Sequence, residues 1–296
     1  MALKDGTEEV TRDRAIVLAA VAQNGNALQF AAKELREDRE VVLTAVAQTG
    51  SALQHVQLPE LQGDLEIVSA AVSSCGTALQ YATVDLRGSQ EIVLTAVKQD
   101  GLALRYAAEE LRSNLEVVVT AVGQNCRALV HAAKGLKGNR QVALTAVARD
   151  GSLLKHVAEE LKRDHEVVMT AIANCPRALE NAAAELRGSR EVVLRAVAGA
   201  AVVLDYADNS LLEDESFAAD ARQRLYLFKV TTLSGRSCVV VYPPYASLSG
   251  KRLIEKSCEK LNLQRTGREQ LLYGVEVVPA GELAHASLGK LVEYQL

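Results

Sequence analysis

Hydrophobic and polar positions recur along the first two-thirds of the chain at a fixed interval. The pair Ala-Val, once Ala-Ile, stands at Ala20, Ala45, Ala71, Ala96, Ala121, Ala146, Ala171 and Ala196, with gaps of 25 residues and a single gap of 26. The longer gap coincides with the turn-like stretch Gln57-Leu58-Pro59-Glu60-Leu61-Gln62-Gly63. Seven residues before these anchors stand Asp13, Asp38, Asp64, Ser89, Asn114, Asn139, Asp164 and Ser189. All are residue types whose side-chain oxygen satisfies the free N–H groups at a helix start. Two residues later come Glu40, Glu66, Glu91, Glu116, Glu166 and Glu191, with Gln141 as the neutral variant. A carboxylate there meets the positive end of the helix. Aliphatic runs such as Val41-Val42-Leu43 lead into the anchor. This half of the unit predicts one buried helix of about ten residues.

The other half is patterned as tightly. Gly25, Gly50, Gly76, Gly101 and Gly151 stand five residues past their anchors, where a left-handed C-cap would end the first helix. Cys126, Pro176 and Ala201 replace that glycine, so those turns are expected to differ or to carry strain. Leu28, Leu53, Leu79, Leu104, Leu129, Leu154, Leu179 and Leu204 follow in every copy, and three residues on comes Ala or Val. Leu35, Leu86, Leu111, Leu136, Leu161, Leu186 and Leu211 complete one face at a 3.6-residue period. Arg36, Arg87, Arg112, Lys137, Lys162 and Arg187 close most copies, as cations suit a helix C-terminus. The unit reads as two helices of about ten residues each, too short to stand alone in water. Stacking buries their faces continuously. The expected fold is an α-solenoid of about eight 25-residue helix-turn-helix repeats over residues 13–212, after an N-terminal tail, 1–12.

The unit closely resembles a family of short helical repeats, the domain of unknown function 4116. Its signature, Glu-Val-Val-Leu-Thr-Ala-Val-x-Gln-x-Gly-x-Ala-Leu-x-Tyr-Ala-x-Glu-Leu-Arg, is best seen in residues 91–112. The resemblance implies the repeat fold and brings no activity with it.

Past Leu211 the 3.6-residue period stops. Residues 213–224 read as an acidic linker or capping segment. From Leu225 the period moves toward 2. Residues 225–231 read as a strand, Leu233-Ser234-Gly235 as a hairpin turn, and 237–242 as the partner strand. A helix is expected over 249–261, a short strand pair around Gly274 and a last strand over 290–296. This order over 225–296 resembles a small α+β, ubiquitin-like β-grasp domain, carried by the Leu233-Ser234-Gly235 turn and Gln270-Leu271-Leu272-Tyr273-Gly274. By that resemblance Leu233 and Leu272 match two positions of ubiquitin's apolar docking patch. Conjugation of ubiquitin needs a free Gly-Gly tail. The sequence ends on Glu293-Tyr294-Gln295-Leu296, so the module is expected not to be conjugated.

Composition narrows the function classes. Lys and Arg number 33 against 37 Asp and Glu, a net charge of −4, which argues against broad phosphate binding. With no Trp and 4% aromatics, Ala, Val and Leu must fill the core. The longest apolar run, 196–204, has nine residues, well short of a membrane span. The start, Met-Ala-Leu-Lys-Asp-Gly, lacks a signal peptide's apolar stretch, and Cys75, Cys126, Cys175, Cys238 and Cys258 are odd in number with no C-x-x-C pair. The expectation is a protein of the cell interior, cytoplasmic or nuclear, with reduced thiols. His165-Glu166-Val167-Val168-Met169 opens like a zinc-protease helix, but Met stands where the second ligand should be. There is no phosphate loop, dinucleotide fingerprint or nucleophile elbow. No catalytic residue, cofactor or metal is expected. The basic column reads as helix-end cations rather than as a phosphate stripe.

One column is a candidate binding surface. Phe30, His55, Tyr81, Tyr106, His131, His156, Asn181 and Tyr206 stand ten residues past their anchors, to one side of the Leu/Ala face. Planar groups with polar tips suit recognition of a peptide or flat ligand, though stacking between repeats at the edge of the core is the simpler expectation. Gln29, Arg105, Lys155, Glu180 and Asp205 beside them vary between copies and would tune partner choice. The leading expectation is a non-enzymatic protein-interaction scaffold. The alternatives are an adaptor in a ubiquitin-related pathway and an RNA-binding helical repeat. The sequence leaves the oligomeric state open.

Overall fold

A computed structural model describes residues 7–223, 226–232, 237–242 and 272–277. The chain divides into two compact units, Met1–Ala146 and Val147–Leu296.

In the first unit five long α-helices of ten residues pack in succession: Arg14–Gln23, Arg39–Gln48, Leu65–Ser74, Gln90–Gln99 and Leu115–Gln124. The expected caps form at Asp13, Asp38 and Asp64, whose carboxylates each accept two backbone N–H groups, and at Asn114. Ser89 makes no side-chain cap bond. Four of the five bury two aliphatic residues in their first turn and the anchor pair, as in Val41, Val42, Ala45 and Val46, while Arg14–Gln23 buries Val17 and Val21.

The second half of the unit is not one helix. In the fourth copy it is a six-residue 3-10 helix, Gly101–Tyr106, an extended step at Ala107 and Ala108, and a single α-turn, Glu109–Arg112. Ala107 and Ala108 have ψ of 151° and 155°, far from helical values. The cause is a bond to the preceding repeat. The N–H of Ala108 donates to the carbonyl of Arg87 at 2.9 Å, and Ala133 donates likewise to Arg112 at 2.9 Å. A residue that spends its N–H on a neighbour leaves the intrahelical ladder. The extra residue of the 26-residue gap falls in this step, between Val56 and Leu58, before the short helix Pro59–Gln62.

The glycines answer to a different constraint from the expected left-handed cap. None of them has a left-handed backbone, and each opens its 3-10 helix. A Cβ on Gly76 would lie 2.3 Å from the carbonyl oxygen of Ala96, the anchor of the next repeat, and one on Gly101 equally close to that of Ala121, at 2.3 Å. The glycine N–H is tied across the same gap. Gly25, Gly76 and Gly101 donate to Oε1 of Gln48, Gln99 and Gln124 at 2.8, 2.6 and 2.6 Å. A partial repeat precedes the first full one. The short helix Glu8–Arg12 presents the Thr11 carbonyl to the N–H of Ala32 at 2.9 Å.

The second unit repeats the scheme in the helices His165–Asn174 and Arg190–Val197 and the 3-10 segments Gly151–His156, Pro176–Asn181 and Ala201–Tyr206. Ala183 and Asp208 donate their N–H groups to the carbonyls of Lys162 and Arg187. Contrary to expectation, the turns without glycine do not differ in kind: Cys126, Pro176 and Ala201 each open a six-residue 3-10 helix as the glycines do. The repeats carrying Cys126 and Pro176 are each followed by a long helix of eight residues instead of ten, Arg140–Val147 and Arg190–Val197. The register runs on beyond Leu211. Asp214 caps the helix Glu215–Gln223 through the N–H groups of Ser216 and Phe217, and Phe217, Ala218 and Ala221 are buried at the positions a long helix buries.

Three strands follow, β1 (Tyr226–Thr232), β2 (Ser237–Tyr242) and β3 (Leu272–Val277), in the order β2-β1-β3. β1 pairs antiparallel with β2, Val230 opposite Cys238, where the sequence predicts a hairpin. β3 is one strand running through Gly274, not the expected pair around it. It lies antiparallel to β1, with an irregularity at Thr231/Thr232. Leu233, the predicted helix over 249–261 and the predicted strand over 290–296 lie outside the described residues.

Candidate functional site

The candidate ladder occupies one structural position. Phe30, His55, Tyr81, Tyr106 and His131 in the first unit, and His156, Asn181 and Tyr206 in the second, are each the last residue of a 3-10 helix. All are half-buried. Successive 3-10 helices within a unit pack against each other, which sets the side chains in a row. The rings are partly engaged with neighbours. The Tyr81 hydroxyl reaches Oε1 of Gln54 in the preceding repeat at 3.3 Å. The Arg105 guanidinium lies over the Tyr106 ring, 4.4 Å from its centroid, and Arg177 donates to the Tyr206 hydroxyl at 3.2 Å. Gln29, Arg105, Lys155, Glu180 and Asp205 are exposed beside the row.

Burial, then the Arg36 charge, holds the His55 imidazole below its ordinary value. His131 is held down by burial first and then by Arg105, Lys137 and Arg112. Both rings therefore favour the neutral form, in which an imidazole both donates and accepts. The row offers flat faces and hydrogen-bonding tips to a ligand. His131 belongs to the first unit and His156 to the second. Among the described residues, no cluster of three or more His, Cys, Asp or Glu side chains is placed to hold a metal ion. Leu272 lies in β3.

Members of the basic column act on two ladder histidines, Arg36 on His55 and Arg112 and Lys137 on His131. Arg36, Arg87, Arg112 and Arg187 end their four-residue helices half-buried, each with a buried Nε that has no hydrogen-bond partner. A guanidinium half withdrawn from solvent fits packing better than a stripe of phosphate contacts.

A second inter-repeat device escaped the sequence reading. The first residue of a long helix reaches the next repeat's cap and first turn. Arg14 bonds Asp38 at 2.9 Å and Glu40, and Arg39 bonds Asp64 at 2.9 Å and Glu66 at 2.6 Å. Arg190 reaches Asp214 at 3.5 Å and Asp220 at 2.6 Å. These bonds pull the Asp38 and Asp64 carboxyls below the usual range. Where the first residue is not cationic, the next cap is not acidic: Leu65 precedes Ser89, Gln90 precedes Asn114 and Leu115 precedes Asn139. That covariation along the chain was the available signal.

Fold and ladder together define a helical repeat protein with one position per repeat that carries a ring or, at Asn181, an amide. The family described as Domain of unknown function (DUF4116) matches it three times, over residues 13–58, 89–137 and 139–187. No curated protein and no solved structure matches the chain. No helix among the described residues is long and apolar enough to cross a membrane.

Proposed function

We propose that the chain is a non-enzymatic scaffold of the cytoplasm or nucleus whose helical repeats bind a protein or peptide through the Phe30-to-Tyr206 ladder. A ubiquitin-like module at its C-terminal end provides a second docking surface that includes Leu233 and Leu272. One observation carries the reading. Every repeat sets a ring or amide at the same half-exposed end of a 3-10 helix, flanked by exposed side chains that differ from copy to copy. Fixed planar anchors with a variable polar surround are what a peptide-reading surface needs. The antiparallel β1–β2 hairpin supports the ubiquitin-like module, and free thiols at Cys75, Cys126 and Cys175 support a reducing compartment.

The test is affinity capture with the full chain and with a Tyr81→Gln, Tyr106→Gln, His131→Gln variant whose circular dichroism and melting match the wild type. The scaffold reading expects the variant to lose the captured protein. Retention of every partner overturns the ladder as the binding surface.

A further inference from the structure

The long helices carry a second surface, built where two columns fail together. Two residues before the anchor, the repeats have Leu18, Leu43, Leu94, Val119, Leu144, Met169 and Leu194, but the third copy has Ser69. The same copy has Leu65 where the first two have Arg14 and Arg39. At Ser69, with Ala70 and Ser73 beside it, the surface of the first unit has a shallow, open groove of about 710 Å³, which a large side chain at 69 would partly fill. Leu65, Ser69, Ala70 and Ile92 line it together with the carboxylates of Glu66 and Glu91. Leu65 is 56% exposed, as Leu115 is at 44% at the equivalent helix start, but of the two only at Leu65 does the next repeat offer a first-turn carboxylate, Glu91.

The electrostatics are also incomplete. In the first two repeats an arginine clamps the next copy's first-turn carboxylate: Arg14 on Glu40 and Arg39 on Glu66. In the fourth, Gln90 takes that part, donating to Glu116 at 2.9 Å. Leu65 has nothing to offer Glu91, whose carboxylate has no bonded partner among the described residues. Asp64, Glu66 and Glu91 against the one guanidinium of Arg39 leave the groove net negative.

We propose that this groove docks a peptide segment of a partner protein in which an arginine stands beside an apolar side chain. The arginine gives Glu91 the clamp that Arg39 gives Glu66 within the chain. The apolar side chain fills the place left by Ser69, against Leu65 and Ile92. The surface lies on the long helices and does not depend on the ladder reading.

The test uses the full chain and a blocked, fluorescein-labelled peptide, Ser-Arg-Leu-Arg-Leu-Ser, followed by anisotropy up to millimolar protein. Leu65→Arg restores the chain's own clamp, and Ser69→Leu partly fills the groove. Both put in residues that other repeats carry there, so folding is preserved and is checked by melting. Saturable binding is expected, weakened about tenfold or more by Leu65→Arg, by Ser69→Leu and by Glu91→Gln. Leu115→Arg leaves binding unchanged, because its next repeat offers the neutral Asn139 and Gln141. Absence of saturable binding overturns the proposal, as does equal binding by Leu65→Arg. A wild-type dimer in sedimentation that Ser69→Leu dissolves also overturns it, by giving the groove to a second copy. The Tyr81, Tyr106 and His131 substitutions leave this binding intact, so the two surfaces fail separately.

Discussion

A Cβ on Gly199 would lie 2.3 Å from Cγ of Pro176, so the missing side chain of one repeat makes room for the ring of its neighbour. The exchange is double. Elsewhere a glycine N–H donates across this gap to a glutamine, as Gly76 does to Gln99. Proline has no N–H, and Gly199, standing where other repeats have the glutamine, has no side-chain acceptor. Gly199→Ala in the wild type is therefore expected to destabilise by about 1–3 kcal/mol through overpacking. In a Pro176→Gly background the same change is expected to cost little. Urea unfolding of the four proteins measures the coupling, and additive effects would show that the two residues are independent.

The glycines divide into two kinds with opposite expected responses to alanine. Gly101→Ala drives a methyl into the Ala121 carbonyl and is expected to cost several kcal/mol. Gly123, in the helix Leu115–Gln124, has nothing within 4 Å of where its Cβ would sit. Gly123→Ala is expected to stabilise by roughly 0.5–1 kcal/mol. Thermal melts of the two variants should move in opposite directions.

Ala107 and Ala132 are 6% and 5% exposed, at the extended step where each repeat meets its neighbour. A glutamate at either place buries an unpaired charge. Ala107→Glu is expected to cost about 3 kcal/mol or more, read as a lowered urea midpoint. Ala107→Ser, small and able to bond locally, should lose far less.

Two pH windows follow from the shifted groups. His55 and His131 titrate below 6.5 when folded, so the unfolded chain takes up protons first. Their stabilising effect is full above 6.5 and falls as pH drops through the folded values. His55→Gln should flatten stability between pH 7 and 5. Asp38 and Asp64 are held below 3.8 chiefly by hydrogen bonds from Arg14 and Arg39. Their effect is present above 3.8 and is lost as pH falls further. Arg39→Leu should reduce that acid sensitivity, and 1 M salt should narrow its difference from wild type.

The long helices were legible because each signal for them is local. Asp38 caps its own helix, and Val41, Val42, Ala45 and Val46 are buried where the period puts them. The second half was not, because Leu104, Ala107 and Leu111 are spaced alike in a continuous helix and in a 3-10 turn followed by a break. The deciding bond, Ala108 N–H to Arg87, comes from another repeat. Gly76 misled for the same reason, since its constraint is the Ala96 carbonyl and not its own turn. The ladder position could be read because any side chain repeated at one offset in every copy must fall in a row. Its contacts, such as Tyr81 to Gln54, could not. The pairing of Arg39 with Asp64 was written in the chain, but a cap reads as a local feature and its second partner goes unsought.

The tie between repeats can be observed directly. In a deuterated, ¹⁵N/¹³C-labelled sample, scalar coupling across hydrogen bonds reports which carbonyl each amide faces. The account predicts that the Ala108 nitrogen couples to the Arg87 carbonyl carbon and the Ala133 nitrogen to that of Arg112. Coupling of Ala108 to Leu104, as a continuous second helix requires, would contradict it.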